Sequence, residues 1–162
     1  MIVIDPVREW GSHPVLIYGP SYVSDAAKIG RGTKIGAFCD ISSVIIGENC
    51  NIQCHVSIPT GTIIGNNVFI GPGVKILNDL YPVSKRLTPP TIHNEAILGG
   101  GCIINPGVMV GHNSVVCSGA LVTGDVPPDT VYMSKTLPAT HHRSRQSYDQ
   151  KQRRHEKRKP RL

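Results

Sequence analysis

Residues able to do chemistry gather in one irregular stretch near the middle of the chain, residues 77–91, which reads LNDLYPVSKRLTPPT. Its polar members are Asn78, Asp79, Tyr81, Lys85 and Arg86. Amide and carboxylate oxygens accept hydrogen bonds from a nucleophile, while lysine and arginine bind carboxylates or phosphates. A long segment between regular elements is usually functional. We predict that this loop helps to bind an anionic substrate, and a solvated loop that contacts another subunit is the alternative.

Two histidines follow this stretch and are the second set of candidates. His93 and His112 lie just after Ile92 and Val110, which are eighteen residues apart. In a parallel coil of that period the two imidazoles would stack where the loop returns, and one of them could accept a proton from an attacking nucleophile. Two exposed corner residues are the alternative. His55 has no such histidine partner, and we expect it to be structural or solvated.

The chain on both sides of the loop repeats with a period of six residues. Each hexad starts with one aliphatic anchor, often followed by glycine, and carries a small or β-branched residue four positions later. Such a period is the signature of a solenoid with tight corners and a narrow core. Neither helical spacing nor two-residue hairpins fit it. The anchors are Val23, Ile29, Ile35, Ile41, Ile46, Ile52, Ile58, Ile64, Ile70, Ile76, Ile92, Leu98, Ile104, Val110, Val116 and Val122.

This pattern, [LIV]-G-x-x-[small]-x over residues 23–126, resembles the hexapeptide-repeat acyltransferases, whose fold is a left-handed parallel β-helix with three hexads per coil. The hand of the coil comes from the resemblance alone. Grouped in threes, the anchors predict an all-β fold of about five coils with one long loop at residues 77–91. A sandwich of short strands is the alternative.

The start of the loop sharpens the resemblance. The run VFIGPGVKILNDLYP, residues 68–82, looks like the N-D-x-[YF]-P of hexapeptide acetyltransferases that act on nucleotide-linked amino sugars. The O-acetyltransferases of maltose, galactoside and xenobiotic type have a loop histidine where this chain has Tyr81. The likeness continues through LGGGCIINPGVMVGHNSVVCSGALVTGDVPP, residues 98–128. It implies that Asn78 accepts a hydrogen bond from the sugar amine, that Asp79 assists, and that the other polar loop residues bind the substrate.

The chemistry agrees with the missing loop histidine. A deprotonated amine is already a good nucleophile, so its attack on a thioester needs mainly alignment and stabilisation of the oxyanion. A hydroxyl acceptor needs a general base, for which His93 or His112 would be available. We therefore expect acetyl transfer from acetyl-CoA to the amino group of a nucleotide-linked amino sugar, for surface polysaccharide (O-antigen or capsule) or glycan biosynthesis. A sugar or polysaccharide O-acetyltransferase with a histidine base, or a non-catalytic β-helix scaffold, is the alternative.

For the cofactor, the resemblance implies a homotrimer that holds the pantetheine arm of acetyl-CoA between neighbouring subunits. Small residues would let the arm reach the main chain. The family's G-N-P-A-[KR] turn for the CoA nucleotide is replaced by SKTLP at residues 134–138, where we expect Lys135 or Arg143 to substitute. The other matching cofactor positions are Gly100, Gly101, Cys102, Ser118, Gly119 and Ala120.

Composition sets the domain organisation. The 162 residues suit one domain, which we divide into an N-terminal cap at 1–22, the catalytic β-helix at 23–134 and a basic tail at 135–162. The tail has ten lysines and arginines against two acids, so the net charge of +6 originates there; we expect it to be flexible and solvated. We expect a cytoplasmic protein without signal peptide or membrane span.

Metal binding and nucleic-acid recognition are not expected. The five cysteines form no CxxC pair, and we expect reduced, packed thiols. The H-x4-H spacing of the zinc-dependent carbonic-anhydrase-like members of this fold is absent. The basic tail lacks the interleaved aromatic residues typical of RNA binding.

Overall fold

The computed structural model describes residues 14–134, together with the backbone of three two-residue strands outside that range. The described part of the chain contains strands and no helix, so none of it could cross a membrane as a helix. The strands are β1 Ile2–Val3, β2 Val7–Arg8, β3 Val15–Ile17, β4 Ser21–Val23, β5 Lys28–Ile29, β6 Lys34–Ile35, β7 Asp40–Ile41, β8 Ile45–Ile46, β9 Asn51–Ile52, β10 Ser57–Ile58, β11 Ile63–Ile64, β12 Phe69–Ile70, β13 Lys75–Ile76, β14 Thr91–Ile92, β15 Ile97–Leu98, β16 Ile103–Ile104, β17 Met109–Val110, β18 Val115–Val116, β19 Leu121–Val122, β20 Thr130–Tyr132 and β21 Arg143–Ser144.

The strands form three sheets that the chain visits in turn. A seven-stranded sheet has the order β1-β4-β7-β10-β13-β16-β19, a five-stranded sheet β17-β14-β11-β8-β5, and a nine-stranded sheet β2-β3-β6-β9-β12-β15-β18-β20-β21. All strands from β3 to β20 pair in parallel, anchor beside anchor; Ile64, for example, pairs with Ile46 and Ile92. Among the described strands, antiparallel pairs occur only at the ends of two sheets, where β1, β2 and β21 join β4, β3 and β20. The predicted all-β parallel β-helix is confirmed.

The solenoid has about six coils rather than the predicted five. The parallel pairing already starts at β3, which precedes the first anchor and pairs with β6. At the other end Val126 forms a parallel bridge with Val110, and β20 pairs with β18. The count from the anchors missed these sides because they lie outside residues 23–122.

The core is a column of inward side chains. Every anchor from Val23 to Val122 is buried, and so is every small residue four positions after an anchor. Buried hydroxyls in this column are paired, as Thr33 shows: its Oγ1 donates to the Gly47 carbonyl at 2.9 Å and accepts from the Cys50 N–H at 3.1 Å. The predicted burial of Cys39, Cys50 and Cys102 is confirmed, and burial raises the pKa of Cys102 to about 12.

Three edges join the sheets, and each candidate site residue that the structure describes lies on one of them. The loop edge leads from the seven-stranded to the five-stranded sheet and contains 24–27, 42–44, 59–62, 77–90, 105–108 and 123–125. The histidine edge leads on to the nine-stranded sheet and contains 30–33, 47–50, 65–68, 93–96, 111–114 and 127–129. The glycine edge closes the coil and contains 18–20, 36–39, 53–56, 71–74, 99–102 and 117–120.

Candidate functional site

The predicted loop occupies residues 77–90 of the loop edge, between β13 and β14. Its base is closed by a hydrogen bond from the Thr88 N–H to the Asn78 carbonyl at 2.7 Å. The Thr88 carbonyl in turn accepts from the Gly107 N–H of the next coil at 2.6 Å, and the Pro90 carbonyl accepts from the Ile63 N–H of the preceding coil at 3.3 Å. The loop is therefore fixed to the coils on both sides at its base.

Asn78 is half-buried at this base, and its amide has a defined orientation. Its Nδ2 donates to the Thr60 carbonyl at 2.9 Å. Because that partner can only accept, the amide oxygen must be the atom that faces the other way. No described residue donates a hydrogen bond to Oδ1. Asn78 thus presents a free acceptor at the start of the loop.

Asp79 folds the loop that it belongs to. Its Oδ2 accepts from the Ser84 N–H at 2.9 Å, and its Oδ1 accepts from the Tyr81 N–H at 3.1 Å. The hydrogen bond from the Ser84 backbone, more than that from Tyr81, holds the pKa of the Asp79 carboxyl below its usual value. This turn-forming role was not predicted from the sequence, although aspartate commonly bonds the backbone two residues on, and a contact of Asp79 with the substrate stays a prediction.

The other predicted substrate residues project from the loop. Tyr81 is 78% exposed, and Lys85 and Arg86 are exposed as well. Neither cation forms an ion pair with a residue that the structure describes. Their charges are therefore available to an anionic group, and their contact with a substrate stays a prediction.

His93 and His112 line one cavity, but they are not stacked in register. Since Ile92 pairs with Val110, His93 stands beside Gly111, and His112 is one position further along, beside Asn94. The offset arises because His112 follows its anchor Val110 by two residues, whereas His93 follows Ile92 by one. The cavity has a volume of about 420 Å³ on the outer side of the last coils. Its lining comprises His93, Met109, Gly111, His112, Asp125, Val126, Pro127 and Pro128.

Asp125 is a cavity residue that sequence analysis did not single out. Its Oδ1 accepts from the Met109 N–H at 2.8 Å, which holds the carboxylate beside β17, the end strand of the five-stranded sheet. A signal existed, since the residue belongs to the GDVPP run that closes the last coils. Among the described residues no group of three histidines, cysteines or acidic residues could hold a metal.

The six small residues predicted to bind the cofactor all lie on the glycine edge. Gly101, Ser118 and Gly119 are exposed and Gly100 is half-buried, so their main chain can be reached from outside. Cys102 and Ala120 are buried in the core, because they occupy the inward position four residues after an anchor. Their side chains are therefore unavailable to a ligand at the surface, and contact of their main chain with the cofactor stays a prediction. Lys135 lies outside the described residues.

The structure does not bring the three predicted groups together in one chain. Asn78, His93 and Gly101 lie on the loop, histidine and glycine edges respectively. A strand of two residues separates each edge from the next, and among the described residues no hydrogen bond joins Asn78, His93 and Gly101 to one another. A single chain consequently presents three partial sites.

The hexad repeat of this chain is also found in known proteins. The family described as "Bacterial transferase hexapeptide (six repeats)" matches residues 26–60 and 43–78. A galactoside O-acetyltransferase of Escherichia coli is 36% identical over 100 residues, which are 56% of this chain and 49% of that protein. The chain spans about half the length of the curated relatives that it matches first.

Two solved structures share the architecture. A variant of AntD, an N-acyltransferase from Bacillus cereus in complex with dTDP and coenzyme A, superposes with a TM-score of 0.68 at 17% identity over 88% of either chain. The acetyltransferase domain of PglB from Neisseria gonorrhoeae gives a TM-score of 0.65 at 21% identity over 73% of this chain and 53% of that one. At these identities the likeness concerns the fold.

Proposed function

This chain belongs to the hexapeptide-repeat acyltransferase family, and from that premise we propose that it transfers acetyl from acetyl-CoA to the amino group of a nucleotide-linked amino sugar. The observation that carries the proposal is the orientation of Asn78. Its Nδ2 is engaged by the Thr60 carbonyl, so its Oδ1 can accept a hydrogen bond from an amine N–H. Support also comes from the fold neighbour AntD, which is described as an N-acyltransferase with dTDP and coenzyme A bound.

In the proposed reaction the neutral amine attacks the thioester carbonyl carbon. The new C–N bond forms while the carbonyl oxygen takes the negative charge, and collapse of this intermediate breaks the C–S bond. The departing CoA thiolate and the proton lost from nitrogen balance each other. Asn78 holds the amine so that its lone pair faces the thioester, and this alignment is the main requirement for a nucleophile that needs no strong base.

We further propose that the complete site forms between subunits of a homotrimer. The three partial sites lie on separate edges of one chain, so a second copy is needed to place loop residues against a glycine edge. The loop also carries exposed apolar side chains that a neighbouring subunit would cover: Leu80 at 54%, Val83 at 102% and Leu87 at 46% exposure. Exposed apolar groups of this kind mark interaction surfaces.

The second candidate is O-acetylation of a sugar. The E. coli relative is named a galactoside O-acetyltransferase, and the cavity of this chain holds two histidines beside a carboxylate. A hydroxyl acceptor would need His93 or His112 as general base. The two candidates differ in which acceptors react and in which substitution abolishes turnover.

The test measures release of CoA thiol from acetyl-CoA with UDP- and dTDP-linked amino sugars and their hydroxyl counterparts. We expect turnover with the amino sugars only. Asn78→Ala should lower kcat/KM about 10- to 150-fold, the value of one hydrogen bond of about 1.5–3 kcal/mol, and leave the Kd for CoA unchanged.

Asn51→Ala is the matched control, because Asn51 is an exposed asparagine on β9 of the nine-stranded sheet, away from the loop edge. Unchanged turnover in Asn78→Ala would contradict the proposal. Reaction with hydroxyl acceptors alone, lost in His93→Ala or His112→Ala, would establish the second candidate instead.

A further inference from the structure

We propose that Phe38, His55, Gly73 and Lys75 form a binding platform for the base and diphosphate of a nucleoside diphosphate group. Phe38, His55 and Gly73 lie on the glycine edge, and Lys75 begins the strand that follows it. None of these residues belongs to the loop, the histidine cavity or the predicted cofactor positions. The two sources of the ligand, coenzyme A and a nucleotide-linked sugar, rest on the proposed function.

The first observation is a pair of stacked rings at the surface. The ring centroids of Phe38 and His55 are 5.0 Å apart with an interplanar angle of 12°. This distance matches the spacing of about 4.8 Å between neighbouring coils, because each ring occupies the same corner position of its own coil. Phe38 is nevertheless 58% exposed, so the pair is not part of the core.

Both ring-bearing residues are in an unfavourable backbone conformation. Phe38 and His55 have φ of 60°, in the left-handed region. That conformation costs a residue with a side chain roughly 1–2 kcal/mol. On the histidine edge the same corner position is mostly filled by residues that tolerate it, such as Asn49, Asn67 and Asn113. Strained conformations that hold exposed aromatic side chains point to a function rather than to stability.

The next corner along this edge leaves room for a third ring. Gly73 takes the position that follows His55, with φ of 72°, and a Cβ placed on it would meet no atom within 4 Å. The side of His55 turned away from Phe38 therefore faces a step without a side chain. A planar base placed there would stack on the imidazole at a normal distance, and base stacking on aromatic side chains is worth about 1–3 kcal/mol.

A positive charge stands beside the stack. Lys75 is exposed, and its Nζ donates to the His55 carbonyl at 3.4 Å. No described acidic residue forms an ion pair with Lys75. The ammonium group of lysine is a compact positive charge, and next to a stacking surface it is placed to bind a phosphate that is linked to the stacked base. Both proposed substrates contain this combination, because coenzyme A is an adenosine diphosphate derivative and a nucleotide sugar carries its base on a diphosphate.

The test is isothermal titration calorimetry of the full chain with ADP, UDP, dTDP, coenzyme A and pantetheine. Phe38→Leu removes the support of the stack, and Gly73→Asn fills the vacant step with a residue suited to its φ. Gly73→Asn, which takes the place of the base, should raise the Kd of at least one nucleotide about 5- to 150-fold, from the stacking energy. Phe38→Leu should raise it by a smaller factor, because the base contacts His55 and Phe38 only supports that ring. Pantetheine, which lacks a base, should bind unchanged. Tyr22→Leu, which removes an exposed ring on the neighbouring sheet, is the matched control and should change nothing.

Which nucleotides lose affinity shows whether the platform binds coenzyme A or the nucleotide-linked sugar. Weaker binding of ADP and coenzyme A alone assigns the platform to adenine, and weaker binding of UDP or dTDP assigns it to the acceptor. Nucleotide affinities within twofold of wild type in both variants would overturn the platform; should Phe38→Leu not fold, Gly73→Asn decides alone. Failure of acetyl transfer with nucleotide binding still dependent on Phe38 would refute the proposed function and leave the platform standing.

Discussion

Two glycines of one corner, Gly71 and Gly73, should lose different amounts of stability on substitution, because they are glycines for different reasons. A Cβ on Gly71 would lie 2.5 Å from the Gly100 nitrogen and 2.9 Å from the Leu98 carbonyl oxygen. Both contacts are with the backbone of the next coil. Gly73, two residues later, has φ of 72°, and a Cβ on it would meet nothing. The first position lacks space, and the second lacks only a favourable conformation.

The magnitudes follow from these contacts. Gly71→Ala must push two coils apart where the Gly71 N–H donates to the Leu98 carbonyl at 2.7 Å. Overpacking costs about 1–3 kcal/mol and the weakened hydrogen bond about 1 kcal/mol, so we expect a loss of about 2–4 kcal/mol. Gly73→Ala costs roughly 1–2 kcal/mol for the left-handed conformation, less about 0.4–1 kcal/mol for restricting the unfolded chain. The net loss should be about 0–1.6 kcal/mol.

Substitution by asparagine distinguishes the steric clash at Gly71 from the unfavourable backbone conformation at Gly73. Gly73→Asn should be close to neutral, since asparagine tolerates the left-handed region and already occupies it at Asn49, Asn67 and Asn113. Gly71→Asn should be at least as destabilising as Gly71→Ala, because the clash is with its Cβ. Urea unfolding followed by circular dichroism gives the midpoints, compared at equal m value. Equal losses for the two alanine variants, or recovery of stability in Gly71→Asn, would refute the reasoning.

Three further outcomes are expected. In the folded protein the Cys102 thiol, with its pKa raised to about 12, stays neutral, while the unfolded thiol ionises from about pH 8.5, so rising pH favours unfolding. Cys102→Ala should therefore reduce by about 2 kcal/mol the stability that the protein loses between pH 8 and pH 10, measured by urea unfolding under reducing conditions. An unchanged dependence of stability on pH would contradict this. Asp79→Asn should raise the KM for the acceptor with little change in Tm, because the amide Nδ2 cannot accept a hydrogen bond from the Ser84 N–H. Since the pKa of Asp79 is lowered, the wild-type loop should keep its turn at pH 5 and lose it only as the pH falls through that lowered pKa. Steady-state kinetics at pH 5 and below the lowered pKa checks this. Ile64→Ala should lower the free energy of unfolding by about 2–5 kcal/mol, and Ile63→Ala on the same strand by less than about 0.5 kcal/mol in a chain not associated with other copies. The reason is that Ile64 is 1% exposed and Ile63 is 46% exposed. Similar losses for the two variants in thermal unfolding would be inconsistent with this column of core residues.

The sequence by itself determined the architecture and the position of the loop. In a solenoid each hexad obeys the same local rule, with one large inward residue, a tight corner and one small inward residue. A repeated local rule leaves one consistent fold, which is why the burial of every anchor, from Val23 to Val122, could be predicted. The loop was visible for the same reason, as the place where the period fails. The motif starting at Asn78 also came from the sequence.

Only the tertiary structure decided which candidates share an edge. That placement depends on the accumulated register, including the five-residue step between Ile41 and Ile46 and the exact offset of each residue from its anchor. His93 and His112 are out of register by one residue, because His112 follows its anchor by two positions and His93 by one. The five-residue step aligns Phe38 with His55, which is seventeen and not eighteen residues later in the chain.

The remaining differences arise from contacts that a linear pattern does not contain. The carboxylate of Asp79 closes its own loop because two backbone N–H groups happen to converge on it, and Asp125 reaches the histidine cavity from a neighbouring edge. Cys102 and Ala120 matched a family motif but point inward, because their distance from the preceding anchor places them in the core. Local periodicity therefore specifies the coil, and the packing of successive coils decides which side chains meet.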